Sequence, residues 1–130
     1  MQAVILVAGK STRTYPLTLT RPKPLLPIAG HTIIGYLLEQ LIGIVDEVVL
    51  VVGYRRQMIE QHLGAKWKSL KISYCEQKEQ MGTGHAVLQA EPFIKDRFIA
   101  MNGDDIYDGQ DVKQLLNHKY SALVRHEEDP

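Results

Sequence analysis

The 130-residue chain has one cysteine, Cys75, so it forms no internal disulfide and suits a reducing compartment. It has no net charge, because fifteen Lys and Arg offset fifteen Asp and Glu. Such a balance gives no general attraction to nucleic acid or to a membrane, so any anion binding must come from local placement of charge. No apolar run reaches the roughly 18 residues of a membrane span. The opening run AVILVA is short and lacks a basic leader, so it reads as a buried strand and not as a signal peptide. Together these absences point to the cytoplasm. There is no internal repeat, low-complexity stretch or linker. What remains, 45% apolar and 23% charged residues, is the composition of a globular domain long enough to bury a core.

The apolar pattern alternates between two periods. Val4 to Ala8 form a continuous apolar run, as does Glu47–Val52 (EVVLVV), and such runs suit central parallel strands buried on both faces. Residues 70–75, 97–101 (RFIAM) and 120–125 read as three further strands. Between them, residues 32–42 repeat Ile33, Ile34, Leu37, Leu38 and Leu41 at helical spacing, with Gly43 as the stop. Residues 55–63 predict a short helix ending at Gly64, and 83–91 a helix stopped by Pro92. Asp111 with Gln114 resembles a capping box for a helix running to about Lys119. Strands alternating with helices predict an α/β fold, a mostly parallel Rossmann-like sheet flanked by helices. In such sheets ligands sit outside the carboxyl ends of the strands. Residues 9–16, 76–84 and 102–108 fall at those ends.

Each of these three segments carries chemistry. After the first strand, Gly9 allows close backbone approach to an anion, Ser11 and Thr12 offer N–H and hydroxyl donors, and Arg13 can bind phosphate oxygens bidentately. The string GKST is not a Walker A loop, because Val4 stands where that motif needs glycine. A plain strand-to-loop turn accounts for the same spacing. In RPKPL, Pro22 and Pro24 fix the backbone on either side of Lys23, which suits a rigid cation that lets two anionic substrates approach; a solvated loop lysine is the ordinary alternative. In YCEQKEQMGTGHA, Gln77 offers a donor and an acceptor together, as reading a base edge requires. Gly82 and Gly84 let a planar ring lie against backbone, and Thr83 adds a hydroxyl or else caps the following helix. His85 has no second histidine at i+3 or i+4 and reads as a packed or capping residue. In NGDD, a carboxylate at a strand end near phosphates is a natural Mg²⁺ ligand. Neighbouring side chains point opposite ways, and Asp104 is the one expected to face the site; an Asx turn would use the same residues.

With these segments in hand, the chain resembles the sugar-1-phosphate nucleotidyltransferases. Their pattern, roughly L-x-A-G-x-G-T-R-x-x-P-L-T followed by P-K-P-L, is met by LVAGKSTRTYPLT and RPKPLLPI, with Ser11 where glycine is usual. The resemblance implies that Ala8, Gly9, Ser11 and Thr12 hold the nucleotide and that Arg13 and Lys23 bind phosphates. It implies that Gln77, Gly82 and Thr83 read the base, and that Asp104 binds Mg²⁺. GTGHA is most similar to the N-acetylglucosamine-1-phosphate uridylyltransferases. The implied reaction is transfer of a nucleotidyl group from UTP or dTTP to a sugar-1-phosphate. A non-catalytic nucleoside-triphosphate-binding or regulatory module is the other reading. The resemblance further implies that residues 1–130 are one nucleotide-binding domain, the N-terminal half of a longer one, with the sugar-holding half following HEEDP. A sheet cut at that point exposes an apolar edge, which favours a homo-oligomer.

Overall fold

A computed structural model describes residues 1–9, 15–17 and 20–124. In chain order the elements begin with β1 (Gln2–Leu6), a short hairpin of β2 (Pro27–Ile28) and β3 (His31–Thr32), and α1 (Ile33–Leu41). Then come β4 (Glu47–Val52), α2 (Arg56–Leu63), β5 (Lys66–Trp67), β6 (Leu70–Glu76), α3 (Thr83–Gln89), β7 (Phe98–Asn102) and α4 (Gly109–Leu115). The main sheet has the order β5-β6-β4-β1-β7. β1 pairs parallel with both β4 and β7, β4 pairs parallel with β6, and the short β5 is antiparallel to β6. This is the α/β architecture the alternating pattern predicts.

Both faces of the central strands are covered, as their continuous apolar runs require. Ala3, Ile5, Val7, Val48, Leu50 and Val52 point to one side, where they meet Ile34, Leu37, Leu38 and Leu41 of α1, Ile59 and Leu63 of α2, and Val112 of α4. Val4, Ala8, Val49 and Val51 point to the other and meet Ala86 and Ala90 of α3 and its C-cap. α1 starts where Thr32 Oγ1 accepts a hydrogen bond from Gly35 N at 3.0 Å, an N-cap that satisfies one of the free donors of the first turn.

Two expectations are corrected. The cap of α4 is Asp108, whose carboxylate accepts from Gln110 N at 2.7 Å, and not Asp111, which lies in the first turn; the helix ends at Leu115, short of Lys119. The cause is tertiary. Gln40 Oε1 accepts from Gly109 N at 2.9 Å and fixes the helix start earlier in the chain. Residues 120–124 form no strand, and residue 125 lies outside the described residues. Arg97 donates to the carbonyls of Leu116 (2.9 Å) and His118, which fastens the chain after α4 beside β7. The segment beyond stays off the sheet, with Tyr120 86% and Val124 84% exposed.

At the amino-terminal edge of the sheet, Glu47 accepts from Gln2 Nε2 (3.0 Å) and Lys95 Nζ (3.1 Å), with Lys71 Nζ at 3.5 Å. The Lys95 hydrogen bond, joined by the charges of Lys95 and Lys71 and opposed by partial desolvation, holds its carboxyl below the ordinary 4.5. The folded state therefore gives up this proton more readily than the unfolded chain. The stabilisation is present above about pH 4.5 and is lost as pH falls through the lower folded value. Urea midpoints measured across that range should fall toward acid, and Glu47→Gln should flatten the fall. At the opposite edge, Gly103 N continues the ladder to Leu6 O at 2.9 Å. A Cβ at Gly103 would stand 2.3 Å from Val7 Cγ1 and 3.0 Å from Leu6 O. Gly103→Ala should therefore cost about 1–3 kcal/mol in urea unfolding, the range for overpacking.

Candidate active site

Because β1, β4, β6 and β7 run parallel, their carboxyl ends lie along one edge. A cleft of about 260 Å³ opens there, lined by Ala8, Gly9, Pro24, Gln77, Gln80, Gly82, Thr83 and Asp104 among others. Residues expected to act together from three separate segments thus share one cleft. Ser11, Thr12 and Arg13 lie outside the described residues. A larger hollow of about 450 Å³ adjoins this cleft at Leu6, Thr83 and Asn102, running between β7 and residues 115–123. Phe98, Ile99, Met101, Leu115 and Leu116 give it an apolar lining, and of the predicted site residues it holds Thr83 alone. The smaller cleft is the one with the chemistry of an anion site.

Lys23 is presented by the prolines around it. A 3₁₀ turn, Lys23–Leu25, closes with hydrogen bonds from Leu25 N to Pro22 O and from Leu26 N to Lys23 O, both 3.0 Å. Pro24 and Leu25 are buried, so the turn is anchored in the core while the lysine stem leaves it. Lys23 Nζ reaches Asp104 Oδ2 at 3.2 Å, across 81 residues of sequence. The cation and the carboxylate that sequence reading assigns separately to ligands are therefore partners of each other. Asp105 faces elsewhere and accepts from the Tyr107 hydroxyl at 3.4 Å. Burial, reinforced by the Asp105 carboxylate, pushes the Tyr107 phenol up.

At the other end of the cleft the groups are neutral amides. Gln77 is 5% exposed, and its Nε2 donates to Gly82 O at 3.3 Å and meets His85 Nδ1 at 3.0 Å. Gly82 sits at φ +93, a backbone conformation that L side chains rarely adopt, and opens α3. Gly82 stands at the N-cap of α3 and Thr83 is the first residue of the helix, so the alternative reading of Thr83 as the cap does not hold. Gln80, which sequence reading passed over, donates from Nε2 to Ala8 O at 2.7 Å and ties this loop to the one after β1. The signal for it was its place three residues after Gln77 in the same segment. Burial pushes the Cys75 thiol up, which leaves it a poor nucleophile. Among the described residues no group of three or more His, Cys, Asp and Glu could hold a metal, and no helix is long and apolar enough to cross a membrane. Asp104 offers one hard oxygen of the kind Mg²⁺ takes when phosphate and water complete its shell, and the Lys23 ammonium at 3.2 Å is the cation such an ion would have to displace.

A doubly covered, mostly parallel sheet with a cation, a carboxylate and an amide at its carboxyl edge is an α/β architecture of the kind that takes its ligands at that edge. The family model for nucleotidyl transferases matches residues 2–124, and the chain belongs to that family. It is 46% identical over 125 residues to the bifunctional protein GlmU of Methanococcus maripaludis, covering 96% of this chain and 30% of that protein. It is 37% identical to the UTP–glucose-1-phosphate uridylyltransferase AglF of Haloferax volcanii, covering 98% of this chain and 54% of the relative. A solved UDP-glucose pyrophosphorylase from Acinetobacter baumanii shares the fold, with a TM-score of 0.79 at 21% identity over 89% of this chain and 51% of its own. The chain thus spans between about a third and about half of the length of these proteins.

The Lys23–Asp104 pair is partly exposed, at 30% and 45%, and such pairs contribute about 0–1 kcal/mol. Lys23→Met should therefore lower the free energy of unfolding in urea by no more than about 1 kcal/mol. A larger loss would make the pair a structural latch and not a poised part of the site.

Proposed function

We propose that this chain binds the triphosphate and base of UTP or dTTP across the carboxyl edge of its sheet. Within the whole protein it then serves transfer of the nucleotidyl group to a sugar-1-phosphate. The observation that carries the reading is the 3.2 Å contact of Lys23 Nζ with Asp104, a carboxylate that lines the same cleft as Gln77 and Gly82. It supports a charged end for the phosphates beside an amide end for the base. The family membership and the names of the relatives support the same reading.

In the reaction an oxygen of the sugar-1-phosphate attacks the α-phosphorus. The α–β phosphoanhydride bond breaks, and pyrophosphate leaves with its electron pair. No covalent bond to the protein is needed, so catalysis comes from alignment and charge compensation. Lys23, held by its anchored turn, neutralises the phosphates of the two reactants. Arg13, on sequence grounds, takes the leaving phosphates, while Gly9, Ser11 and Thr12 supply donors and Ala8 a close backbone. Gln77, Gly82 and Thr83 orient the base. Asp104 is the residue that would hold Mg²⁺, whose charge would offset that of the polyphosphate. The single, half-buried Cys75 fits a reducing compartment such as the cytoplasm. The apolar groups along the free side of β7, with Phe98 38% exposed, fit a homo-oligomer or burial by a continuing chain.

Calorimetric titration with UTP and Mg²⁺, run beside a pyrophosphate-release assay with sugar-1-phosphates, tests the reading. Binding is expected, with at least tenfold loss in Arg13→Ala and Lys23→Ala variants that stay folded. Binding without release from any sugar-1-phosphate would favour the non-catalytic module. Failure to bind any nucleoside triphosphate overturns both.

A further inference from the structure

The chain leaves β1 through a residue that supplies no restraint of its own. Gly9 is exposed, and a Cβ placed there would meet nothing within 4 Å among the described residues. Glycine also has the widest choice of φ and ψ. Among the described residues, what restrains the backbone at this point lies just before it, at the peptide unit shared by Ala8 and Gly9. That unit is planar, so holding its carbonyl holds the whole plane.

Two residues from other segments meet that carbonyl. Gln80 Nε2 donates to Ala8 O at 2.7 Å, across 72 residues of sequence. A backbone carbonyl can only accept, so the amide nitrogen of Gln80, and not its oxygen, must face it. From the end of β4, Gly53 closes on the same atom. A Cβ there would stand 3.0 Å from Ala8 O and 3.3 Å from Gln77 O, both backbone atoms, and the carbonyl would have to give way. The ends of β1, β4 and β6 thus come together at one oxygen, whose residue is 3% exposed. Gln80 itself is an exposed residue, so burial does not place its side chain; the hydrogen bond does.

We propose that Gln80 is a positioning residue for the phosphates of the nucleotide. By holding the Ala8 carbonyl it fixes the Ala8–Gly9 peptide, the start of the loop to which the proposed function assigns the phosphates. It does so from the loop that carries Gln77 and Gly82. The inference deepens the nucleotide-binding reading above and rests on it.

The test compares the affinities of the full chain for UTP, uridine and inorganic tripolyphosphate by calorimetry, with urea midpoints as the check on folding. Gln80→Met keeps the length of the side chain and removes its donor. Its affinities for UTP and for tripolyphosphate should each fall about fivefold, the change that one net hydrogen bond converts to, while uridine affinity stays within about twofold. Gly53→Ala displaces the same carbonyl with a methyl group that has no hydrogen bond to offer, and it should give the same pattern. The double variant should lose little more than either single one, because both act on one atom. Losses that multiply in the double variant, or an equal loss of uridine affinity, would make Gln80 a direct contact of the nucleotide and overturn the positioning role. Unchanged UTP affinity in Gln80→Met overturns it too. If Gly53→Ala does not fold, the Gly9 amide decides. Its backbone NMR resonance in the ligand-free Gln80→Met chain should move with the loss of the bond to the carbonyl in the same peptide unit, and an unmoved resonance overturns the inference. A native chain that binds neither UTP nor tripolyphosphate overturns the nucleotide-binding reading and the inference with it.

Discussion

The parallel register of β1 with its two neighbours is the constraint on which the site depends. Leu6 stands opposite Val51 on one side and Asn102 on the other, so the chain leaves β1, β4 and β7 at one level. Glu76 pairs with Val52 and brings the end of β6 to the same edge. Residues near positions 8, 77 and 104 meet for this reason and for no local one. Side chains alternate along a strand, so a slip of one residue in β7 would exchange the faces of its neighbours. Asp105 would then stand where Asp104 meets Lys23. The close approach of Gly103 to Val7 and Leu6 helps to pin the register, since it seats the chain against β1 just before the acidic pair.

Those features of the fold that depend on nearby residues were legible in the sequence. EVVLVV is bounded by Asp46 and Gly53 and is apolar at five successive positions, and it forms β4 with the expected limits. The α1 stripe predicts its buried face because every inward residue recurs at three or four positions. Legibility fails where a distant group decides. Asp108 and Asp111 are both fair caps by composition, and Gln40, 69 residues from Gly109, breaks the tie. Residues 120–124 (YSALV) have the apolar and β-branched content of a strand, yet they stay off the edge of β7, and sequence pattern carries no information about whether such a segment pairs. In the site, the separate assignments of Lys23 and Asp104 missed that the two would find each other. His85 reads as a packed or capping residue, and what the sequence does not show is its contact with Gln77 Nε2 at 3.0 Å, eight residues away.

The two ends of the cleft work by different physics. The end at Gln77 and Gly82 is made of neutral amides and backbone carbonyls, whose strength depends little on salt. The end at Asp104 is made of opposite charges that neutralise one another. A chain with no net charge gains no long-range pull on a polyanion. It can still hold one where a cation is kept ready by a rigid turn. The exposure of the Lys23–Asp104 pair matters here. A sealed pair would resist separation, because breaking it strands a charge away from water. A pair at a cleft mouth costs little to open, and its lysine can trade one carboxylate for the stronger charge-assisted hydrogen bonds of a triphosphate. On the proposed function, the carboxylate released in that exchange would be free for a divalent cation held by the same phosphates, which would couple the two ions through one contact.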